Sequence, residues 1–324
     1  MTRTDDDTWD ITESVGATAL AVAAARAAET ESAEPLFRDP FARVFLDAAG
    51  EGTWSIFDRL AVAGVDPQIA ARMQTLQDFF AARTAFIDDF FVAAVDAGIR
   101  QVVILAAGLD ARAWRLAWPE GTRLYELDQP KVLDFKSSTL RAQGAEPAAQ
   151  RIEIPVDLRR DWPTALRRAG FDAQMPTAWS VEGLLRYLPS QAQDLLFEHI
   201  HELSAVGSQI VANAPTEDVV DPERWARDRE LAQRLQSSLG LQVGIVPPNL
   251  EELSYAEERT DVVDWLAQHG WDASAATVPE VVALYRRGPA ETDESRPVPS
   301  YFISACRVPR ALRGSTQDGM RWLS

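Results

Sequence analysis

Residues 101–136 read QVVILAAGLDARAWRLAWPEGTRLYELDQPKVLDFK, and the order of residue types in them sets the fold class. Val102 to Leu105 is an unbroken β-branched and aliphatic run, the pattern of a strand covered on both faces in a parallel sheet. Ala106-Ala107-Gly108 supplies the turn, a helix follows, and a second strand, Arg123 to Leu127, ends among Glu126 and Asp128. Asp128 lies twenty positions after Gly108. In nucleotide-binding α/β folds an acid about 20 residues past the glycine turn hydrogen-bonds a ribose hydroxyl. The stretch therefore predicts a ribose-bearing cofactor, with a solvent-exposed acid after an ordinary turn as the plainer alternative.

The turn narrows the choice of cofactor by what it lacks. A dinucleotide site needs several glycines, so that backbone amides can approach a pyrophosphate. This turn has one, flanked by Ala106, Ala107, Leu109 and Asp110, and Asp110 adds a negative charge. S-adenosylmethionine carries a ribose, no phosphate and a positive sulfonium, and fits these residues better than NAD does.

The composition sets outer limits. With 324 residues the chain suits one large α/β domain with insertions, and its net charge of -17 disfavours nucleic acid as a partner. The paired arginines at 159–160 and 167–168 are flanked by Asp157, Asp161 and Asp172, so no basic patch stands out. One cysteine, Cys306, excludes a disulfide framework and a multi-cysteine metal site. His199, His201 and His269 have no metal-ligand spacing, so no metal is expected. The opening MTRTDDDTWD is not a signal peptide, and no apolar run reaches the roughly 18 residues of a membrane helix. A cytoplasmic protein without a membrane partner is the expectation.

Along the chain, helices are expected at 17–28, 40–49, 53–63 and 68–97. The last carries an apolar stripe of Leu76, Phe79, Phe80, Phe86, Ile87, Phe90, Phe91 and Ala94, with Gln77, Asp78, Asp88 and Asp89 placed opposite. Arg83 falls on that stripe. A guanidinium there must snorkel out, form an internal ion pair, or capture a ligand carboxylate. Further strands are expected at 151–156, 177–181, 209–214, 271–276 and 301–308. Pro155 removes a ladder donor and assigns the first of these to a sheet edge. Ser190 and Gln193 have capping-box spacing. Asp128, Asp157 and Glu182 follow successive strands, so in one parallel sheet they converge on the crevice at the strands' carboxyl ends.

ARTAFIDDFF at 82–91, VVILAAGLDARAWRL at 102–116, YELDQPKVLDFK at 125–136, VDLRRDW at 156–162 and EGLLRYLP at 182–189 together resemble the leucine carboxyl methyltransferase family. The likeness is greatest to its actinobacterial branch of S-adenosylmethionine-dependent methyltransferases, which shares the opening TRTDDDTWD pattern. This resemblance implies the α/β class I methyltransferase fold, a Rossmann-like, mostly parallel seven-stranded sheet in the order 3-2-1-4-5-7-6. It also implies site roles: Arg83 on the methionine carboxylate, Gly108 beneath the methionine, Asp128 on the ribose, Asp157 and the Leu158 backbone at the adenine, and Glu182 near the methionine amino end. Ala106 departs from the glycine of many relatives, and Arg186 adds a charge beside Tyr187.

The implied activity is in-line methyl transfer to an oxygen, carboxylate or hydroxyl, of a small-molecule or peptide acceptor. A hydroxyl acceptor needs a base, for which Glu182 and Tyr187 are the candidates. A nucleotide-dependent oxidoreductase and a non-catalytic cofactor-binding protein are the alternatives. The expected organisation is a single domain: a helical cap at 1–67, a core of 68–214 and 260–310, an inserted lid at 215–259 and a tail at 311–324. The alternative for cap and lid is that they complete the core or make a dimer contact.

Overall fold

The computed structural model describes residues 14–50, 52, 66–216, 255, 257–288 and 298–309, with scattered positions between 223 and 234. The helix expected at 53–63 lies outside the described residues, as does most of the inserted lid.

Seven strands form one sheet: β1 (Gln101–Leu105), β2 (Arg123–Asp128), β3 (Gln150–Pro155), β4 (Thr177–Val181), β5 (Gln209–Pro215), β6 (Trp271–Thr277) and β7 (Ser300–Arg307). Their order is β3-β2-β1-β4-β5-β7-β6, and β7 alone runs antiparallel to its neighbours. Every residue of β1 and β4 is buried, which is why Val102 to Leu105 is an apolar run rather than an alternation. β3 lies at the edge, as Pro155 requires, and its residues are mostly exposed or half-buried.

Helices cover both faces. The long helix is labelled α3 (Pro67–Asp96), after α1 (Ser14–Glu31) and α2 (Pro40–Ala49). Asp66 caps α3 by accepting the Gln68 N–H, and Pro67 occupies the first turn, where a missing N–H costs nothing. Phe79 and Phe86 pack on Phe302 of β7, and Phe91 packs on Trp118. The opposite face of the sheet buries Tyr125, Trp162 and Trp179.

Two local readings are corrected. Asp78 and Asp88 do not face solvent: both are buried, because α3 is covered on most of its circumference and Asp88 is held by arginines. Ser190 and Gln193 do not form a capping box. The helix Ser190–Glu202 starts directly after Pro189 without a side-chain cap, and Gln193 Nε2 instead donates to the Thr260 carbonyl at 3.0 Å.

Candidate functional site

The register of the sheet fixes which residues meet at its carboxyl edge. Leu127, Leu105, Val181 and Ala212 are aligned across β2, β1, β4 and β5. The next residue on each strand is therefore Asp128, Ala106, Glu182 and Asn213, side by side in one row. Asp157 follows β3 two positions beyond Pro155, the partner of Asp128.

The glycine turn sits over the middle of that row. Ala106 and Gly108 both adopt left-handed backbone, with φ of 53° and 47°. Gly108 donates its N–H to Asp128 Oδ2 at 2.6 Å, and Gln129 donates to Oδ1 at 2.6 Å. Asp128 is thus clamped by main chain at both oxygens. Burial holds its carboxyl above the usual range, and the two amide bonds and Lys136 offset this only in part. A Cβ on Gly108 would stand 3.6 Å from Ala19 Cβ, so α1 lies directly on the turn. Arg26 of α1 fixes this contact, donating to the Leu109 carbonyl at 2.6 Å and pairing with Asp39 at 2.8 Å.

On the other side of the turn is a buried cluster of three guanidiniums, Arg83, Arg112 and Arg115, and three carboxylates, Asp88, Asp110 and Glu182. Arg112 leads α4 (Arg112–Arg115), the short helix after the turn. Its guanidinium bonds Asp88 at 2.6 Å, Glu182 at 2.7 Å, Asp110 and the Thr84 carbonyl at 3.2 Å. Burial alone would raise the Asp110 carboxyl, but Arg112, Lys136 and Arg115 overcome it and bring it to about 2. Asp110 is therefore neutralised inside the protein, which removes the sequence argument that its charge repels a pyrophosphate.

Arg83 differs from its neighbours in how little it is given. It is 6% exposed and lies against the Phe79 and Phe80 rings. Among the described residues its paired carboxylate is Glu182, with Nε 2.9 Å from Oε1, and the N–H is too poorly directed to make a hydrogen bond. Burial lowers its pKa more than Glu182 raises it. Glu182 is itself shared with Arg112, and despite burial its carboxyl is held below the usual range by Arg112 and Arg83.

The structure thus joins Gly108 with Asp128, and Arg83 with Glu182. Asp157 stands apart at the end of β3, where Arg159 occupies its carboxylate through Nε, Nη2 and backbone N–H, and Leu158 is half-buried beside it. Tyr187 ends the 3-10 turn Leu185–Tyr187, its N–H on the Leu184 carbonyl. Two residues escaped the sequence reading. Asn213 accepts the Gly183 N–H at 2.7 Å and donates to Ser300 Oγ at 3.2 Å, fixing the left-handed turn after Glu182. Arg112 is the other, and its one sequence signal was a basic residue straight after a buried glycine turn. Among the described residues no cluster of His, Cys, Asp or Glu suits a metal ion, and no helix is long and apolar enough to cross a membrane.

A seven-stranded sheet in this order with β7 alone reversed, and an acidic row around a glycine turn at its carboxyl edge, defines a class I methyltransferase. Comparison with known proteins narrows the class. The leucine carboxyl methyltransferase family matches residues 19–201. A Mycobacterium marinum protein, provisionally named an S-adenosyl-L-methionine-dependent methyltransferase, is 59% identical over 95% of this chain and 99% of its own. A Mycobacterium tuberculosis protein of the same name is 56% identical over the same shares. A solved structure provisionally titled a methyltransferase, from Thermobifida fusca, covers 90% of this chain and 94% of its own at 16% identity and a TM-score of 0.47. The chain belongs to the leucine carboxyl methyltransferase family.

Proposed function

We propose that the protein binds S-adenosylmethionine across the Gly108 turn and transfers its methyl group in line to an acceptor oxygen. The observation that carries this is Arg83, a buried guanidinium whose paired carboxylate is shared and misdirected, set across the turn from the clamped Asp128. An amino-acid zwitterion suits this pair: its carboxylate goes to Arg83 and its ammonium to Glu182, so one ion pair is exchanged for two without stranding a buried charge. Asp128 takes the ribose diol, and Asp157 with the Leu158 backbone takes the adenine.

The cofactor supplies a methyl group already activated by a sulfonium. The chain's task is to align the acceptor and exclude water. Glu182 is a poor general base, because its carboxyl is held below the usual range and engaged by two guanidiniums. That favours a carboxylate acceptor, which needs no base, over a hydroxyl. The acceptor is a small molecule or a peptide end. Its lone pair forms the new C–O bond as the C–S bond breaks toward sulfur, leaving a methyl ester and S-adenosylhomocysteine.

Calorimetry tests the cofactor assignment. S-adenosylhomocysteine should bind and NAD should not. Asp128→Ala should weaken S-adenosylhomocysteine and 5′-methylthioadenosine alike, by about 1.5 to 3 kcal/mol. Arg83→Met should weaken the first and spare the second, which lacks the amino-acid end. NAD binding without S-adenosylhomocysteine binding would favour the oxidoreductase reading instead.

The helices before about residue 67 and the segment 215–259 are assigned here as the cap over the acceptor. The contact of Ala19 with the Gly108 turn supports this for α1. Hydrogen exchange should show protection in both segments on adding S-adenosylhomocysteine, and protection confined to the strand ends would refute it.

A further inference from the structure

Glu182 has two oxygens and two guanidinium partners, and it divides them: Oε2 lies 2.7 Å from Arg112 Nη1, and Oε1 lies 2.9 Å from Arg83 Nε. The two arginines are held very differently. Arg112 is 3% exposed and pinned on every side. Nε donates to Asp88, Nη1 to Asp110 and Glu182, and Nη2 to the Thr84 carbonyl. Its own backbone is pinned too, the N–H by Asp110 Oδ1 at 2.6 Å and the carbonyl by Trp118 Nε1 at 2.7 Å. Among the described residues, Arg83 has the Glu182 contact and the two phenyl rings. Arg112 is therefore the fixed cation of the cluster, and Arg83 the one able to change partner.

We propose that Arg112 is a positioning residue that withholds half of Glu182 from Arg83 and so creates the site's selectivity for an amino-acid end. A carboxylate and a guanidinium left to themselves pair through two parallel hydrogen bonds. Arg112 occupies the oxygen that such a fork needs, and Arg83 keeps one poorly directed contact. Without Arg112, Glu182 turns both oxygens to Arg83, and an incoming zwitterion has to break a closed pair. The clamp on Asp128 does not involve the Arg112 guanidinium, since it runs through the Gly108 and Gln129 backbone amides on the other side of the row. Loss of Arg112 thus acts on one end of the ligand only.

This inference rests on the reading of Arg83 given above, and the test separates the two. Affinities for S-adenosylhomocysteine and 5′-methylthioadenosine are measured by calorimetry in the wild type, Arg112→Met and Arg112→Lys. The wild type should prefer the first ligand. In Arg112→Met the ratio of the two affinities should fall about tenfold, the equivalent of one hydrogen bond to a charged group. Arg112→Lys keeps the buried charge but cannot reach four acceptors with one ammonium, and its ratio should lie between the other two. It carries the test if Arg112→Met does not fold. A ratio unchanged or raised in either folded variant overturns the positioning role. A wild type that binds both ligands equally overturns the reading of Arg83 itself.

Discussion

Glu126, inside β2, and Glu182, just past β4, are both carboxylates set between two cations, yet the cations around them are satisfied to very different degrees. At Glu126, Lys136 is fully buried, 2.8 Å from Oε2, and also donates to the Asp110 carbonyl at 2.8 Å. Arg151 donates to the same oxygen at 2.7 Å, to Ser137 Oγ at 3.0 Å and to Glu153 at 2.7 Å, and stacks over Trp114 at 4.6 Å. Each cation there has several partners from different elements, so the cluster ties α5 (Pro130–Ala142) to β2, β3 and the turn after β1. At Glu182, Arg112 is equally saturated, but Arg83 is not. The contrast separates a buried charge that holds the fold from one left able to bind.

The largest effect that sharpens this contrast is on stability. Lys136→Met removes a partner from a buried carboxylate and orphans the Asp110 carbonyl, and should cost about 3 kcal/mol in urea unfolding. Arg83→Met leaves Glu182 with Arg112 and sets an apolar chain against Phe79 and Phe80, so it should cost less than about 1 kcal/mol. Equal losses would mean that Arg83 is a structural cation like Lys136.

Much of this architecture was legible in the sequence, for reasons visible in particular residues. β1 is covered on both faces, so Val102 to Leu105 form an unbroken apolar run, and Pro155 could only sit at an edge. The spacing from Gly108 to Asp128 reflects one turn, one short helix and one strand, all local in sequence, and the two do meet. What sequence could not give was the wiring of long-range charge. Arg112 draws on Asp88, Asp110, Glu182 and the Thr84 carbonyl, three of them at least 24 positions away. Helical periodicity even misled at Asp88 and Asp78, because it assumes one solvent face and α3 has little of one. Asn213 was invisible for a related reason: only the register of β4 with β5 puts it beside Glu182.

A smaller effect concerns acid. Asp128 has its carboxyl raised, so on acidification it takes up a proton before Asp110 and Glu182, which are held low. Protonating Asp128 removes an acceptor for the Gly108 or Gln129 N–H and for the ribose, while the folded state, relieved of a buried charge, loses little. The stabilisation from Asp110 and Glu182 has the opposite sign of shift: it is complete above their unfolded values and is lost as pH falls through the folded ones, about 2 for Asp110. Affinity for S-adenosylhomocysteine should therefore decline at a higher pH than the melting temperature does, and Asp128→Asn should remove that separation. Affinity and melting falling together in the wild type would count against it.

The smallest effect lies between the two acids, at Ala106. Its φ of 53° puts a residue with a Cβ in the left-handed region, which costs about 1 to 2 kcal/mol. Glycine removes that strain, but its extra freedom in the unfolded chain costs about 0.5 to 1 kcal/mol. The Ala106 methyl is only half-buried against the core beneath it, so losing it forfeits less than the roughly 0.8 kcal/mol of a fully buried carbon. These terms nearly cancel, and Ala106→Gly should change stability by no more than about 0.5 kcal/mol in either direction. Binding should respond more clearly, because the same change removes a side chain from the middle of the row that joins Asp128 to Glu182. S-adenosylhomocysteine should bind at least as tightly to Ala106→Gly as to the wild type, with unfolding measured alongside. Weaker binding at unchanged stability would show that the alanine holds the turn in the shape that keeps Gly108 on Asp128, and that the row depends on its strained residue rather than tolerating it.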